Sequence, residues 1–246
     1  MHNDELVQAM GTELVKQAAD TVARPALTLL GEDVAALYKV LRLPLFPIRA
    51  LATSSEHVEQ WLMEALFKRL KDMKPDEVHP PQPRVAQQAL LQLTLCFSEH
   101  ELREMFVNLL ASSMTEHADK VHPSFTEVIH QLSADEAKVL RYAKTNPLSF
   151  NERYTTSAGP QKQRTTEPIE LQFESYCQRA GVEQLHKHPV YLDNLTRLRL
   201  IERESGERAR IRGGIAAPLH SGFPVISDVH VVFLSDFGRT FIDLCV

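Results

Sequence analysis

The chain has 246 residues, 43% of them hydrophobic, enough for one large core or two modest ones. Its formal charge of −5 is uneven: residues 1–131 carry 12 Lys/Arg against 18 Asp/Glu, and residues 132–246 carry 15 against 14. That balance excludes a polyelectrolyte binder of nucleic acid, and three scattered cysteines, Cys96, Cys177 and Cys245, exclude a disulfide framework.

The acidic start, Met1 to Glu5, lacks the basic-then-apolar layout of a secretion signal, which points to a reducing, cytoplasmic setting. Apolar residues then recur at helical spacing over 6–22 (Leu6, Met10, Leu14, Val22), over 56–72 (Val58, Leu62, Leu66, Leu70) and over 99–114 (Leu102, Phe106, Leu109, Met114). Several such stripes require a common core, so residues 1–131 are expected to form an α-helical bundle. Thr53–Glu56, Ser98–Glu101, Ser124–Glu127 and Ser133–Glu136 each match the S/T-x-x-E capping box, in which hydroxyl and carboxylate satisfy orphan amides reciprocally.

Between the first two of these helices lies the most hydrophobic segment, residues 34–52. Lys39, Arg42, Arg49, Pro44 and Pro47 interrupt it, which rules out a comfortable membrane span. It suits a core helix broken at Pro44, or a surface helix touching a membrane through Lys39 and Arg42. Prolines make Met73–Pro83 an extended connector, and His117–Pro123 forms a second break. The polar stretch 145–167 is expected to be a long loop.

The back of the chain, residues 132–246, has the outline of a winged helix. Residues 133–144, 169–180 and 191–200 supply three helices. The third places Tyr191, Leu192, Leu195 and Leu198 inward, and Asp193, Asn194 and Arg197 outward. Asparagine and arginine read base edges, whereas Asp193 opposes phosphate. Residues 187–212 hold seven basic and four acidic side chains. Within them Glu207–Arg212 alternates, and as a strand it would align Arg208, Arg210 and Arg212 on one face, a row suited to phosphate or to a charged edge. Gly213-Gly214 opens a loop toward Pro224. A strand through Val229, Val231 and Phe233 and a serine-started helix at Ser235 complete the unit.

Catalytic signatures are missing: the sequence contains no phosphate-binding Gly-x-x-x-x-Gly-Lys loop and no Gly-x-Ser-x-Gly elbow. His186 and His188 form the only close histidine pair, without the ligands of a tetrahedral metal site, so no metal or cofactor is expected. Arg179 and His186 fit the loose Arg-to-His spacing of a class of helical ribonucleases. Cys96 suits a packing residue on an apolar helix.

Three segments, ELREMFVNLLASSM (101–114), ADKVHPSF (118–125) and IHQLSADEAK (129–138), resemble the Abi-alpha family, bacterial proteins whose name links them to abortive infection. The likeness covers most of residues 15–145, and YLDNLTRL (191–198) and FGRTFI (237–242) extend it. Many winged helices show Leu-Gly-Leu-Ile after the third helix, where this chain has Leu198-Arg199-Leu200-Ile201. Most motif residues look like determinants of fold. Asn108 and Lys120 are polar without an evident packing role, which makes them candidates for function.

The expected protein is therefore mainly α: an N-terminal helical bundle (1–131) followed by a winged-helix-like domain (132–246) with a small β-hairpin. The resemblance implies a non-enzymatic, defence-associated protein that recognises a protein or nucleic-acid partner through its back half. Peripheral membrane contact and homo-oligomerisation stay open. A DNA-binding transcriptional regulator is the second reading, and an RNase-type toxin the third.

Overall fold

The structure, a computed structural model, describes residues 56–156, 162–212 and 225–246. The helix expected over 6–22, the segment with Lys39 and Arg42, the cap residue Thr53 and the loop 213–224 lie outside these. The described residues are mainly helical, with one small four-stranded antiparallel sheet.

Five helices come first: α1 (Glu56–Leu70), α2 (Pro83–Leu95), α3 (His100–Ser112), α4 (Ser124–His130) and α5 (Ala134–Ala143). Then follow β1 (Ser149–Thr156), β2 (Lys162–Arg164), α6 (Ile169–Arg179), α7 (His188–Arg197) and β3 (Ile201–Ser205). A short α8 (Glu207–Arg212), β4 (Val225–Leu234) and α9 (Asp236–Cys245) close the order. One-turn 3₁₀ helices at Pro75–Glu77 and Leu185–Lys187 sit in connections, the first inside the connector expected to be extended.

α3 lies at the centre, packed by α1, α2, α4, α5 and α9. Its stripe explains this, because Leu102, Met105, Phe106, Leu109 and Leu110 are all buried and cover more than one side. The main core continues without a break from Leu62 to Cys245, so the helices before and after residue 131 share one interior. Phe125 of α4 is the junction, with rings of Phe237 and Phe241 from α9 at 5.2 and 5.4 Å.

Helix starts follow the caps unevenly. Ser133 behaves as expected: its Oγ accepts the Glu136 amide at 3.3 Å, and Glu136 accepts the Ser133 amide at 2.7 Å. The other described boxes do not form. α3 begins after Glu99 rather than at Ser98, and Ser124 is the first residue of α4, its hydroxyl held by His122 Nδ1 at 2.7 Å. Near Ser124 the histidine ring takes the hydroxyl first.

The sheet corrects two expectations. The polar stretch 145–167 is not a loop: it supplies β1 and β2, and β1 pairs with both β2 and β4 in the order β2-β1-β4-β3. Its alternation of Phe150, Glu152 and Tyr154 is a strand pattern in which polar residues replace apolar ones. Phe150 meets Phe173 and Tyr176 of α6 at 5.9 and 5.4 Å, while Glu152 is buried under Arg164 at 2.7 Å and Tyr154 at 2.9 Å. The second correction concerns Glu207–Arg212, which is helix α8 and not a strand. Ala209 of α8 docks onto Val229, Val231 and Phe233, a small second core on the opposite face of the sheet.

The α7–β3 corner shows how the chain manages without the usual glycine. The Leu200 amide reaches the Leu195 carbonyl at 3.0 Å and the Arg199 amide reaches Thr196 at 3.0 Å, the paired bonds of a Schellman cap. Arg199 accordingly sits at φ 61, a left-handed conformation that costs an L-residue about 1–2 kcal/mol. Arg199→Gly is expected to stabilise the protein by about 1 kcal/mol. Thermal denaturation would show it as a raised Tm, and an unchanged or lowered Tm would contradict the strain. The exposed Arg199–Glu202 pair lost in the exchange contributes little.

Candidate functional site

The outer surface of the back half was the expected site, and its arginines are organised differently from a phosphate-binding row. Because α8 is helical, Arg208, Arg210 and Arg212 do not share a strand face. Arg208 is exposed. Arg212 lies over the Phe233 ring at 3.8 Å and donates from Nε to Glu204 Oε2 at 3.0 Å. Stacking and the carboxylate together fix this guanidinium against the sheet.

The third helix is also tied inward. Asn194 does not point outward: its Nδ2 donates to the Gln131 carbonyl at 3.0 Å and to Glu136 Oε1 at 2.7 Å. Arg197 donates to Asn194 Oδ1 at 3.1 and 2.6 Å and to Gln131 Oε1 at 2.8 Å. These two side chains bolt α7 to the α4–α5 corner, where the capping-box carboxylate has a free oxygen to offer. Asp193 is exposed, with Arg203 4.0 Å away.

Around these residues, positive and negative charges alternate pair by pair. Arg199 meets Glu202 at 3.0 Å, Arg239 meets Asp236 at 2.7 Å, and Arg164 meets Glu152 at 2.7 Å. Each exposed pair adds little stability. Together they compensate these three arginines, whereas the exposed Arg197 and Arg208 have no ion pair among the described residues.

Sequence reasoning missed the polar centre of this half. Asp135 is buried in the first turn of α5 and accepts four hydrogen bonds. The amides of Glu183 and Gln184 donate at 2.9 Å each, Tyr191 Oη at 3.0 Å and Lys138 Nζ at 3.3 Å. Burial pushes the Asp135 carboxyl up, but these donors outweigh it and hold the group below its ordinary value. Lys138 is held protonated by Glu183 at 2.7 Å and by Asp135. The network locks α5 to the start of α7, and only the position beside a capping box hinted at it.

Asn108 proves to have a packing role. Its Nδ2 donates to the carbonyls of Cys245 and Val246 at 3.1 and 3.2 Å, and its Oδ1 accepts Arg69 Nε at 2.6 Å. Ser112 adds a bond to the Leu244 carbonyl at 2.8 Å. The last turn of α9 has carbonyls without intrahelical donors, and α3 supplies side chains for them. Lys120 is exposed in the connector before α4.

Arg179 lies in a surface cleft whose lining does not include His186. Cys177 and Cys245 are buried; burial pushes the Cys177 thiol up to about 12, so it stays protonated. Cys96 is half-buried at the end of α2 rather than fully enclosed. Among the described residues no three His, Cys, Asp or Glu side chains gather as a metal set, and no helix is long and apolar enough to cross a membrane.

Comparison with protein families matches this chain to the model for abortive infection alpha over residues 54–245, which includes α3, the Ser133 corner and α9. The chain belongs to the abortive infection alpha family. The family match starts at residue 54, not near residue 15, and runs on through the sheet and α9, well past residue 145. Membership suggests an abortive-infection-type defence role. No curated protein and no solved structure matches the chain.

Proposed function

We propose that the protein acts in abortive-infection-type phage defence by recognising a protein partner through a winged-helix-like back half, with no catalytic step of its own. The element order supports the fold reading. α5, β1, α6, α7, β3 and β4 come in that order, with β2 inserted after β1 and α8 after β3, and β4 lies between β1 and β3. Three helices against β1, β4 and β3 match the winged-helix plan, to which the edge strand β2 and α8 are additions.

The observation that carries the choice of partner is charge matching. Arg199, Arg203, Arg212 and Arg239 each stand within 4.0 Å of a carboxylate. Nucleic-acid affinity grows with the number of phosphates neutralised, and with these four arginines compensated the surface keeps only a few exposed cations, such as Arg197 and Arg208, for phosphate. Mixed charges suit a protein surface, where they set register and reject wrong partners.

Gel-shift titrations of the whole protein with duplex DNA and with RNA, at two salt concentrations, test this reading. The expected result is weak binding that Arg208→Ala does not alter. Arg203→Glu should abolish protection against phage while leaving the melting temperature unchanged, because a charge reversal on an exposed pair alters recognition more than stability. Tight, steeply salt-dependent binding to DNA that Arg208→Ala weakens would instead establish the transcriptional-regulator reading.

A further inference from the structure

The end of the bundle where α1 begins carries an apolar surface that the described residues leave open. Trp61, in the second turn of α1, meets the Phe97 ring at 5.2 Å and the Arg103 guanidinium at 4.6 Å. Arg69, two turns further on, reaches Glu104 and Asn108 at 2.6 Å each. α1 therefore runs alongside α3 in the same direction, and its start lies where α2 ends and α3 begins.

Leu91 and Leu95, one turn apart on α2, are large apolar side chains at 48% and 69% exposure. A lone exposed leucine is ordinary, but this pair continues into half-buried Cys96 and Phe97, with Trp61 against the Phe97 ring. α1 adds to the demand for cover. Leu62, Leu66 and Leu70 fill its buried stripe, yet Trp61 and Ala65 stand half-buried beside that stripe. A helix that is apolar beyond one stripe needs a further neighbour.

Polar atoms at the same end are unfinished as well. Gln92 Oε1 and Arg103 Nε are buried without a hydrogen-bond partner. Arg103 has no ion pair among the described residues. Its guanidinium is held by the Trp61 and Phe97 rings, the second at 5.2 Å, and by one bond to the Phe97 carbonyl at 3.3 Å. Folded proteins rarely leave such groups unpaired, which points to a further segment of chain seated here.

We propose that residues 34–52 of the same chain, outside the described residues, seat on this surface, with Leu37, Val40 and Leu41 toward Leu91, Leu95 and Trp61. Chain length selects this occupant. Ala52 is four Cα steps from Glu56, a reach of at most about 14 Å, and Trp61 lies only about 8 Å further along α1. The segment is the most hydrophobic in the sequence, and it holds Lys39, Arg42 and Arg49 without an acid. Glu64 and Glu99, exposed and close in sequence to Trp61 and Phe97, offer the matching charge. The stripe over 6–22 lies farther along the chain and carries Glu13 and Asp20 against Lys16. Seated here, residues 34–52 complete the front core, and their leucines are withheld from a membrane surface.

The full chain tests this in two ways. A p-benzoylphenylalanine in place of exposed Leu95 should cross-link on irradiation to residues 34–52, at a yield independent of protein concentration. Trp61 is the only tryptophan in the chain, so its emission reports this one surface. Leu37→Asp with Leu41→Asp should shift that emission to longer wavelength and raise its quenching by acrylamide, with the cooperative melting transition retained. The cross-link uses the otherwise native chain, so it decides the matter by itself should the double variant unfold. The proposal falls if the cross-link lands on residues 6–22, or on a second copy, as a yield rising with concentration would show. It falls equally if no cross-link forms, or if the double variant leaves Trp61 emission unchanged.

Discussion

Asp135→Ala is expected to destabilise the protein by about 3 kcal/mol or more, lowering Tm by roughly 10 °C in thermal denaturation. The carboxylate is buried with four donors converging on it, and two of them are backbone amides that cannot turn elsewhere. Truncation leaves the Glu183 and Gln184 amides and the Tyr191 hydroxyl buried without acceptors, and that desolvation dominates the cost. Asp135→Asn keeps the volume and isolates the charge: one oxygen still accepts, while the new amide faces donors.

The same residue sets a pH dependence. Its carboxyl is lower in the folded state than its ordinary value of 3.8, so the unfolded chain binds the proton more readily. The stabilisation is therefore fully present above about pH 4 and is lost as pH falls through the folded value. Tm measured between neutral pH and pH 2 should drop more steeply in the wild type than in Asp135→Asn. Parallel curves for the two proteins would show that the carboxylate is not the stabilising group.

Gly238→Ala carries the second large effect. A Cβ at this position would lie 2.0 Å from the Leu200 carbonyl oxygen, and that oxygen belongs to the rigid Schellman corner. In an open helix the exchange would stabilise by about 1 kcal/mol. Here α9 sits directly on the corner, with the Ser235 amide 3.1 Å from the same carbonyl and the Ser235 hydroxyl 2.8 Å from the Gly238 amide. Neither backbone can retreat without giving up those bonds. A loss of about 3 kcal/mol or more is expected, read by chemical denaturation as a lower midpoint. A midpoint equal to or above the wild type would mean that α9 is not seated this closely.

Much of this architecture was legible in chain order. The stripe of α3 and the inward set Tyr191, Leu192, Leu195 and Leu198 are buried as their spacing requires, because a 3.6-residue period on a soluble helix has few other solutions. Ser133 and Ser235 mark true helix starts. β1 escaped notice because its inward residues after Phe150 are polar, and only Arg164 and Tyr154 make burial of Glu152 acceptable. Glu207–Arg212 alternates like a strand but is built of Glu, Arg and Ala, good helix formers, and Ala209 finds a small apolar face to cover. The position of Asn108 in its motif was visible, but its reason lies 137 residues away at the Cys245 carbonyl.

Local chemistry was therefore sufficient for the long helices, the caps at Ser133 and Ser235 and the family, since periodicity, hydroxyl caps and short motifs act over one or two turns. Which arginines stay free was settled only by folding. An ion pair such as Arg203–Asp193 or Arg212–Glu204 depends on side chains from different elements arriving within 4.0 Å, and no spacing along the chain encodes that distance. Arg179, Arg197 and Arg208 show the converse: all three are exposed, and no carboxylate forms an ion pair with them among the described residues.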